Sequence, residues 1–479
     1  MSNNYDNAKD KEQHKRIRDN ISSSYLYFKE NYIRYHEYRH FVYKTSVSDT
    51  QKVMLRNLGK PIIEANILEA YISRLLGEFA KHEPSINVGP AEGVPVQQEV
   101  LDIVEGHIRH IIYEANKNSM SYEVYKDILS GGFSVIKVWT DYATPMSFKQ
   151  VINTSRVFDP TLCGFDPMAR HSHKADGNYC FEIFPMTEED FLKEFPDAEK
   201  ANISYMRNIE EFNWSYKNDK GEKFVLVADY FEKKRKKVRI AELANGRVMK
   251  LKDYEKMAVL WKEQQFIEQI PIIKNKRWST LEVICRYKIN ECQILSYEET
   301  DYTYLPLIFV DGNSVILNQG SGTSQSYQMT RPYIYHAKGI QELKNFSMQC
   351  LGNYLENMVQ HKFIVKKEAI PQEEDYLDAL NDVQHANTIV VNAYSENNPD
   401  KPIPDPIREV QNVPAPPEVL QGFQIADATT QTILGSYASN LGKNDNDLSG
   451  KAIIESASVG NAAAMPYVVG YLAALTQLG

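Results

Sequence analysis

Within IRYHEYRHFVY (Ile33 to Tyr43), the five residues HEYRH fit H-E-x-x-H, two histidines one helical turn apart with a glutamate between them. That spacing sets His36 and His40 on one helix face, where both could hold zinc while Glu37 acts as general base on a metal-bound water. A third ligand is required. The continuation that would add a third histidine fails, because Tyr43 and Ser46 stand where Gly and His are needed. Glu64 lies at a workable separation, but Pro61 and a polar loop intervene, and nothing upstream of His36 would build a substrate-binding strand. Tyr32, Tyr35, Tyr38, Phe41 and Tyr43 crowd the same stretch and read as the face of a packing helix. A zinc hydrolase using His36, Glu37, His40 and Glu64 is therefore kept only as the alternative.

Other chemical patterns are weaker. GKNDNDLSGKAI (442–453) resembles a phosphate loop, but Asp445 replaces a glycine and Ala452 the Ser/Thr that would hold magnesium. That argues against a nucleotide-driven packaging enzyme. Cys163, His171, His173 and Cys180 lie close in sequence but match no zinc-finger or ribbon spacing, and no G-x-S-x-G occurs. Basic residues gather in KKRKKVR (233–239), and Lys274, Lys276, Arg277, Arg286 and Lys288 form a second group that suits docking to an acidic partner or a nucleic-acid backbone.

The elements that carry these residues belong to a folded chain of 479 residues, 43% hydrophobic and 24% charged, long enough for two to four domains. A net charge of −9 excludes a chain that is basic throughout and wraps nucleic acid. Five scattered cysteines suit a reducing cytoplasm. The polar start is no secretory signal, and the longest apolar run, 462–475, is too short to span a bilayer, so no membrane partner is expected.

Residues 8–44 predict one aromatic-rich helix, 62–80 an amphipathic helix and 97–128 a helical stretch, with a sharp turn into a strand through Gly131 and Gly132. Strands are expected around 179–184 and 223–240, with a short helix at 187–195 between them. LKDYEKMAVLWKEQQFIEQI (251–270) reads as a helix, and LEVICRYKI (281–289) alternates as a half-buried strand. A long helix is expected over 338–360, with Ile340, Leu343, Leu351, Tyr354 and Met358 as its apolar side. Its other side carries Lys338, Glu342, Asn345, Gln349, Asn353, Glu356 and Gln360, a stripe dominated by uncharged amides. An acidic helix near 371–385, a strand at NTIVV, a Pro-rich linker at 397–406 and a helix over 417–438 complete the reading. The chain stops at Gly479 inside an Ala-rich helical pattern, as expected of a truncated C-terminal part.

Several stretches in this order resemble bacteriophage portal proteins, the short-tailed (podovirus) type in particular. They are KPIIEANILEAYISRLLGEFAKHEPSINVGP, SGGFSVIKVWTDY, VFDPTLCGFDPMARHSHKADGNYCFEIFPMTEEDFLKEFPDA, VLVADYFEKK and LSGKAIIESASVGN. The resemblance covers nearly the whole chain and rests on their collinear order. It implies an α+β portal fold: wing over 1–250, stem helices over 251–270 and 338–362, clip over 271–337, a second wing part over 363–440 and an incomplete crown over 441–479. It also implies a homo-oligomeric ring, typically a dodecamer, at one capsid vertex of the virion, assembled in the host bacterial cytoplasm. Double-stranded DNA would pass through its centre during packaging and ejection. The partners implied are the terminase large subunit, the head-tail adaptor, and the major capsid and scaffolding proteins; no cofactor, metal or catalytic residue is implied. By matching position, the amide-rich stripe would face the channel, where uncharged side chains let DNA slide without gripping its phosphates. The group from Lys274 to Lys288 would form the clip docking surface.

Overall fold

Tyrosine crowds the start of the chain because the first helix, Asn7–Tyr43, turns one continuous stripe inward. The computed structural model describes residues 7–81, 86–90, 97–196, 198, 214–218, 221–244, 246–263, 271–318, 326–359, 362–381, 388–395, 398–410, 417–435 and 462–479. It is an α+β chain whose contacts divide it into two units. One comprises Met1–Arg39, Ile72–Tyr335 and Ala464–Gly479; the other comprises His40–Tyr71 and His336–Ala463. No described helix is long and apolar enough to cross a membrane.

In the first unit the described strands are β1 (Phe133–Tyr142), β2 (Gln150–Arg156), β3 (Cys163–Phe165), β4 (Tyr179–Thr187), β5 (Ser215–Lys217), β6 (Lys223–Leu243), β7 (Val248–Lys250), β8 (Ile273–Ile289), β9 (Ile294–Glu299), β10 (Leu307–Asp311), β11 (Ser314–Asn318) and β12 (Ser326–Thr330). They form a three-stranded sheet ordered β10-β1-β2, a larger sheet ordered β3-β4-β6-β8-β9 with β5 and β7 also paired to β6, and a two-stranded sheet of β11 and β12. Ile17, Ile21, Phe28, Tyr32 and Tyr35 recur at helical three- and four-residue spacing and are all buried. Phe28, Tyr32 and Tyr35 meet Phe133, Phe165 and Phe309, while Ile17 and Ile21 meet Phe181, Tyr230 and Tyr287. At roughly 1.5–3 kcal/mol for each large apolar side chain removed from water, this stripe is a main source of the unit's stability. Polar residues on the same face satisfy strand and loop backbones: Ser24 Oγ donates to the Phe165 carbonyl at 2.8 Å, and Tyr32 OH to that of Cys163 at 2.7 Å. Asn31 donates to the Gln328 carbonyl at 2.7 Å and accepts from the Thr330 N–H at 3.1 Å.

Residues 97–128 form two helices, Gln98–Asn116 and Met120–Gly131, broken where Ser119 takes a left-handed φ of 57°. Gly132, at φ 96°, makes the turn into β1, a conformation that needs glycine. Asp127 is fully buried and binds Arg39, Arg156 and Ser134; burial raises its pKa against the opposing pull of the two guanidinium groups. The expected strands and short helix appear as β4, β6 and the helix Glu188–Glu194. Residues 271–337 divide their strands: β8 lies against β6 and β10 against β1, while β11 and β12 pair only with each other among the described residues. The helix expected over 251–270 is described over Leu251–Glu263, and residues 264–270 lie outside the described residues.

In the second unit, the helix Lys338–Val359 packs against the helix Pro417–Leu434. The acidic helix is Glu374–Asn381. Described residues 388–391 of the expected NTIVV strand form no strand, and the Pro-rich segment pairs instead, Asn398–Pro402 with Tyr394–Ser395. Helix begins only at Leu68, so residues 62–67, expected as helix, run extended with Pro61 before them.

The helix Met465–Leu478 packs on β10 so closely that a Cβ on Gly470 would lie 1.8 Å from the Asp311 carbonyl oxygen. Gly470→Ala is expected to cost about 1–3 kcal/mol in urea unfolding, whereas Gly106→Ala, with open space around it, gains up to about 1 kcal/mol. Asp311 itself is buried beside Ser314, Gln328 and Lys174; burial, outweighing all three, pushes its carboxyl up to about 6. The folded state therefore holds this proton more tightly than the unfolded state. Asp311 contributes stability that is greatest below about pH 4 and falls on the order of 2–3 kcal/mol as pH rises through about 6. Asp311→Asn should flatten that part of a pH–stability curve measured by denaturant titration.

Candidate functional site

An extended strand without a neighbour leaves its peptide groups unpaired, and residues 61–67 have this problem. The helix Lys338–Val359 solves it with side chains. The N–H groups of Ile63, Ala65 and Ile67 donate to the amide oxygens of Gln349, Asn345 and Gln341, at 3.0, 3.1 and 3.2 Å. In return Gln349 Nε2 donates to the Pro61 carbonyl at 3.0 Å and Gln341 Nε2 to the Ala65 carbonyl at 2.7 Å. Each glutamine thus bonds one N–H and the carbonyl two residues earlier, as a β partner would. The spacing works because four helical residues rise about 6 Å and two extended residues about 6.6 Å.

Asn345, one methylene shorter, gives its N–H to Ser46 Oγ at 2.7 Å and accepts a further bond from Gln341 at 3.0 Å. Ser46 in turn donates to Glu64 at 2.7 Å, and Thr45 does so at 3.2 Å. Burial pushes the Glu64 carboxyl up, but these hydrogen bonds outweigh it and hold the pKa below its ordinary value. Gly352 completes the seat, since a Cβ there would meet the Ile63 side chain at 2.1 Å.

The expected faces of this helix are therefore rearranged. Gln341, Lys344, Asn345 and Ser347 are buried, whereas Leu343, assigned to the apolar inward side, is exposed together with Phe346 and Leu355. Of the expected channel-facing set, Asn345 is only 6% exposed and Gln349 is bonded to the 61–67 backbone. Asn353 is half-buried and accepts from Gln349 at 3.3 Å. Lys338 lies 5.4 Å over the Phe41 ring, Glu342 and Glu356 are exposed, and Gln360 lies outside the described residues. Two residues not anticipated carry much of the packing: Gln341, and Lys344, which pairs with Asp427 and sits 4.6 Å over Phe423. The signal was present as an amide at every fourth position from 341 to 353.

The five basic residues expected at the clip also divide. Arg286 grips both carboxylate oxygens of Asp229 at 2.7 and 2.8 Å, a bond that raises its pKa, and Lys288 binds Glu194 at 2.9 Å. Arg286 and Asp229 line a cleft of 360 Å³ with Lys137 and Glu182, all four already in ion pairs. Lys274, Lys276 and Arg277 are exposed at the far end of β8.

HEYRH does not assemble a metal centre. His36 Nε2 lies 3.0 Å from Thr161 Oγ1, Glu37 and His40 are exposed on the helix, and Glu64 is held by Thr45 and Ser46. Among the described residues no three His, Cys, Asp or Glu side chains come together as ligands. Cys163 and Cys180 are buried in β3 and β4, where burial raises both thiol pKa values. The loop 442–453 lies outside the described residues.

Comparison with known proteins bears on what this geometry serves. A family profile described as "Phage P22-like portal protein" matches residues 18–479. A protein named "Portal protein" from Acyrthosiphon pisum secondary endosymbiont phage 1 is 21% identical over 189 residues, 39% of this chain and 25% of that relative. The match thus spans about a quarter of the relative's length.

The amide ladder yields a direct test. Asn345→Leu keeps the bulk but leaves the Ala65 N–H without its acceptor, which should cost about 1–3 kcal/mol. Amide hydrogen exchange at Ile63, Ala65 and Ile67 should accelerate together, while exchange within Asn7–Tyr43 stays unchanged.

Proposed function

The chain belongs to the phage P22-like portal protein family, and we propose that it forms a ring-shaped conduit for double-stranded DNA at one capsid vertex of a short-tailed phage. The family match over residues 18–479 carries this reading. In it the protein is structural and not an enzyme, is assembled in the host bacterial cytoplasm, and serves packaging and ejection from the virion. It forms a closed homo-oligomer, twelve-fold by resemblance, that docks the terminase large subunit and later the head-tail adaptor, and contacts the major capsid and scaffolding proteins. Closed cyclic symmetry is the ordinary solution for repeated head-to-tail contacts of one chain.

The stem-like helix Lys338–Val359 is proposed to line the channel, with roles divided by exposure. Asn345 and Gln349 hold the segment 61–67, and Glu342 and Glu356 remain for the DNA-facing surface. An exposed face with glutamates and apolar side chains suits sliding, because each phosphate it neutralised would add counterion-release affinity and act as a brake. Repeated around a ring, the glutamates would repel the duplex toward the axis. Of the clip's basic group, Lys274, Lys276 and Arg277 remain as exposed positive charge, while Arg286 and Lys288 are engaged internally.

Native mass spectrometry of the purified chain, with negative-stain imaging, tests the conduit. A closed ring of about a dozen copies is expected. A monomer throughout, at every concentration up to that used for assembly with scaffolding protein, would overturn the reading.

A further inference from the structure

The distal part of β6 and β8 concentrates charge to a degree unmatched in the rest of the chain. Residues 233–250 and 271–283 contain eleven Lys and Arg against Glu242 and Glu282, in a chain whose net charge is −9. The helix Leu251–Glu263 between them adds three cations and three anions. Along this stretch the two strands stand apart as a ribbon. On β6, pairing with β4 ends at Glu232, the Lys233 N–H still donates to the Asn178 carbonyl, and pairing with β7 starts at Ile240, so residues 234–239 pair only with β8 among the described residues.

Some of this charge is used locally. Arg235 pairs with Glu282, Lys236 with Glu299, and Lys234 with Glu232. Lys237, Arg239, Lys274, Lys276 and Arg277 are exposed and have no ion pair among the described residues. Lys237, Arg239 and Lys276 share one face, because Arg239 stands opposite Trp278 and Lys276 opposite Ala241. They therefore recur about every 6.6 Å along the ribbon. Arg277, opposite Ile240, lies on the other face. Trp278 is 64% exposed, and the Arg239 guanidinium sits 5.3 Å from its ring, which holds the planar fork in a fixed pose.

We propose that this ribbon is a phosphate-contacting surface for double-stranded DNA, an inference that rests on the conduit reading and adds a gripping contact to it. A two-stranded ribbon fits the major groove, and cations on both faces suit a groove walled by phosphate on two sides better than one flat acidic protein surface. An arginine fork braced on an indole is suited to bidentate phosphate contact. Five unpaired cations give binding that weakens steeply with salt, so the contact releases where a larger patch would stall the duplex.

The test is binding of a fluorescent random-sequence duplex by the full chain between about 50 and 200 mM salt. The slope of log K against log salt should be about −4 to −5 for five neutralised phosphates. The triple variant Lys237→Gln, Arg239→Gln, Lys276→Gln should flatten it by about 2.7. A matched variant, Arg235→Gln, Lys236→Gln, Lys288→Gln, removes the same formal charge from paired positions and should change it by less than about 1. Equal flattening in both variants would reduce the effect to net charge and overturn the proposal. So would a chain that ignores DNA but binds polyglutamate, which would assign the ribbon to an acidic protein. Native mass on the same samples separates the readings: an intact ring whose ribbon variants bind DNA unchanged sinks this inference and leaves the conduit standing.

Discussion

A peptide group removed from water must be hydrogen-bonded, and in the second unit that rule dictates the sequence of its longest helix. Residues 61–67 run extended with no strand beside them among the described residues. Side chains at 341, 345 and 349 take the place of the missing strand, and only amides offer a donor and an acceptor together in that geometry. The helix therefore turns polar residues inward and leaves Leu343 and Phe346 exposed. Glu64, Thr45 and Ser46 extend the same network, so a change at any one of them is felt along the segment.

Charge is distributed with a similar division of labour. Buried or half-buried ions such as Asp127 and Arg286 are matched by partners within the fold. Five exposed cations without an ion pair among the described residues sit on the β6–β8 ribbon, while the exposed charges of the helix Lys338–Val359 are glutamates. Under the proposed conduit the two surfaces would act oppositely on a duplex: the glutamates would repel it and the ribbon would offer a salt-sensitive hold.

Much of the fold is legible in the sequence where one local rule acts alone. The tyrosine-rich stripe of Asn7–Tyr43, the alternation in β8 and the glycine turn before β1 follow from periodicity and backbone sterics. The segment 61–67 does not, because its apolar pattern suits a helix while amides almost 300 residues away take its alternate peptide N–H groups. The same long-range contact hid the meaning of the amide stripe: spacing identified Asn345 and Gln349, missed Gln341, and could not distinguish peptide groups from DNA as their partners. HEYRH shows the converse. Its spacing is right for a metal, yet the residues that surround His36 are those of a packing helix.

The seat of Met465–Leu478 on β10 has a consequence for biosynthesis. Asp311 and Gly470 are about 160 residues apart, and their backbones touch with no room for a methyl group. At about 5–20 residues per second, the ribosome needs roughly 8–30 s after making β10 before its covering helix exists. During that interval the edge around Asp311 and Gly312 is open, and any nascent chain of the same kind offers it competing apolar surface. The order of synthesis thus makes this seat one of the last contacts that the first unit can form, however early β10 itself is paired.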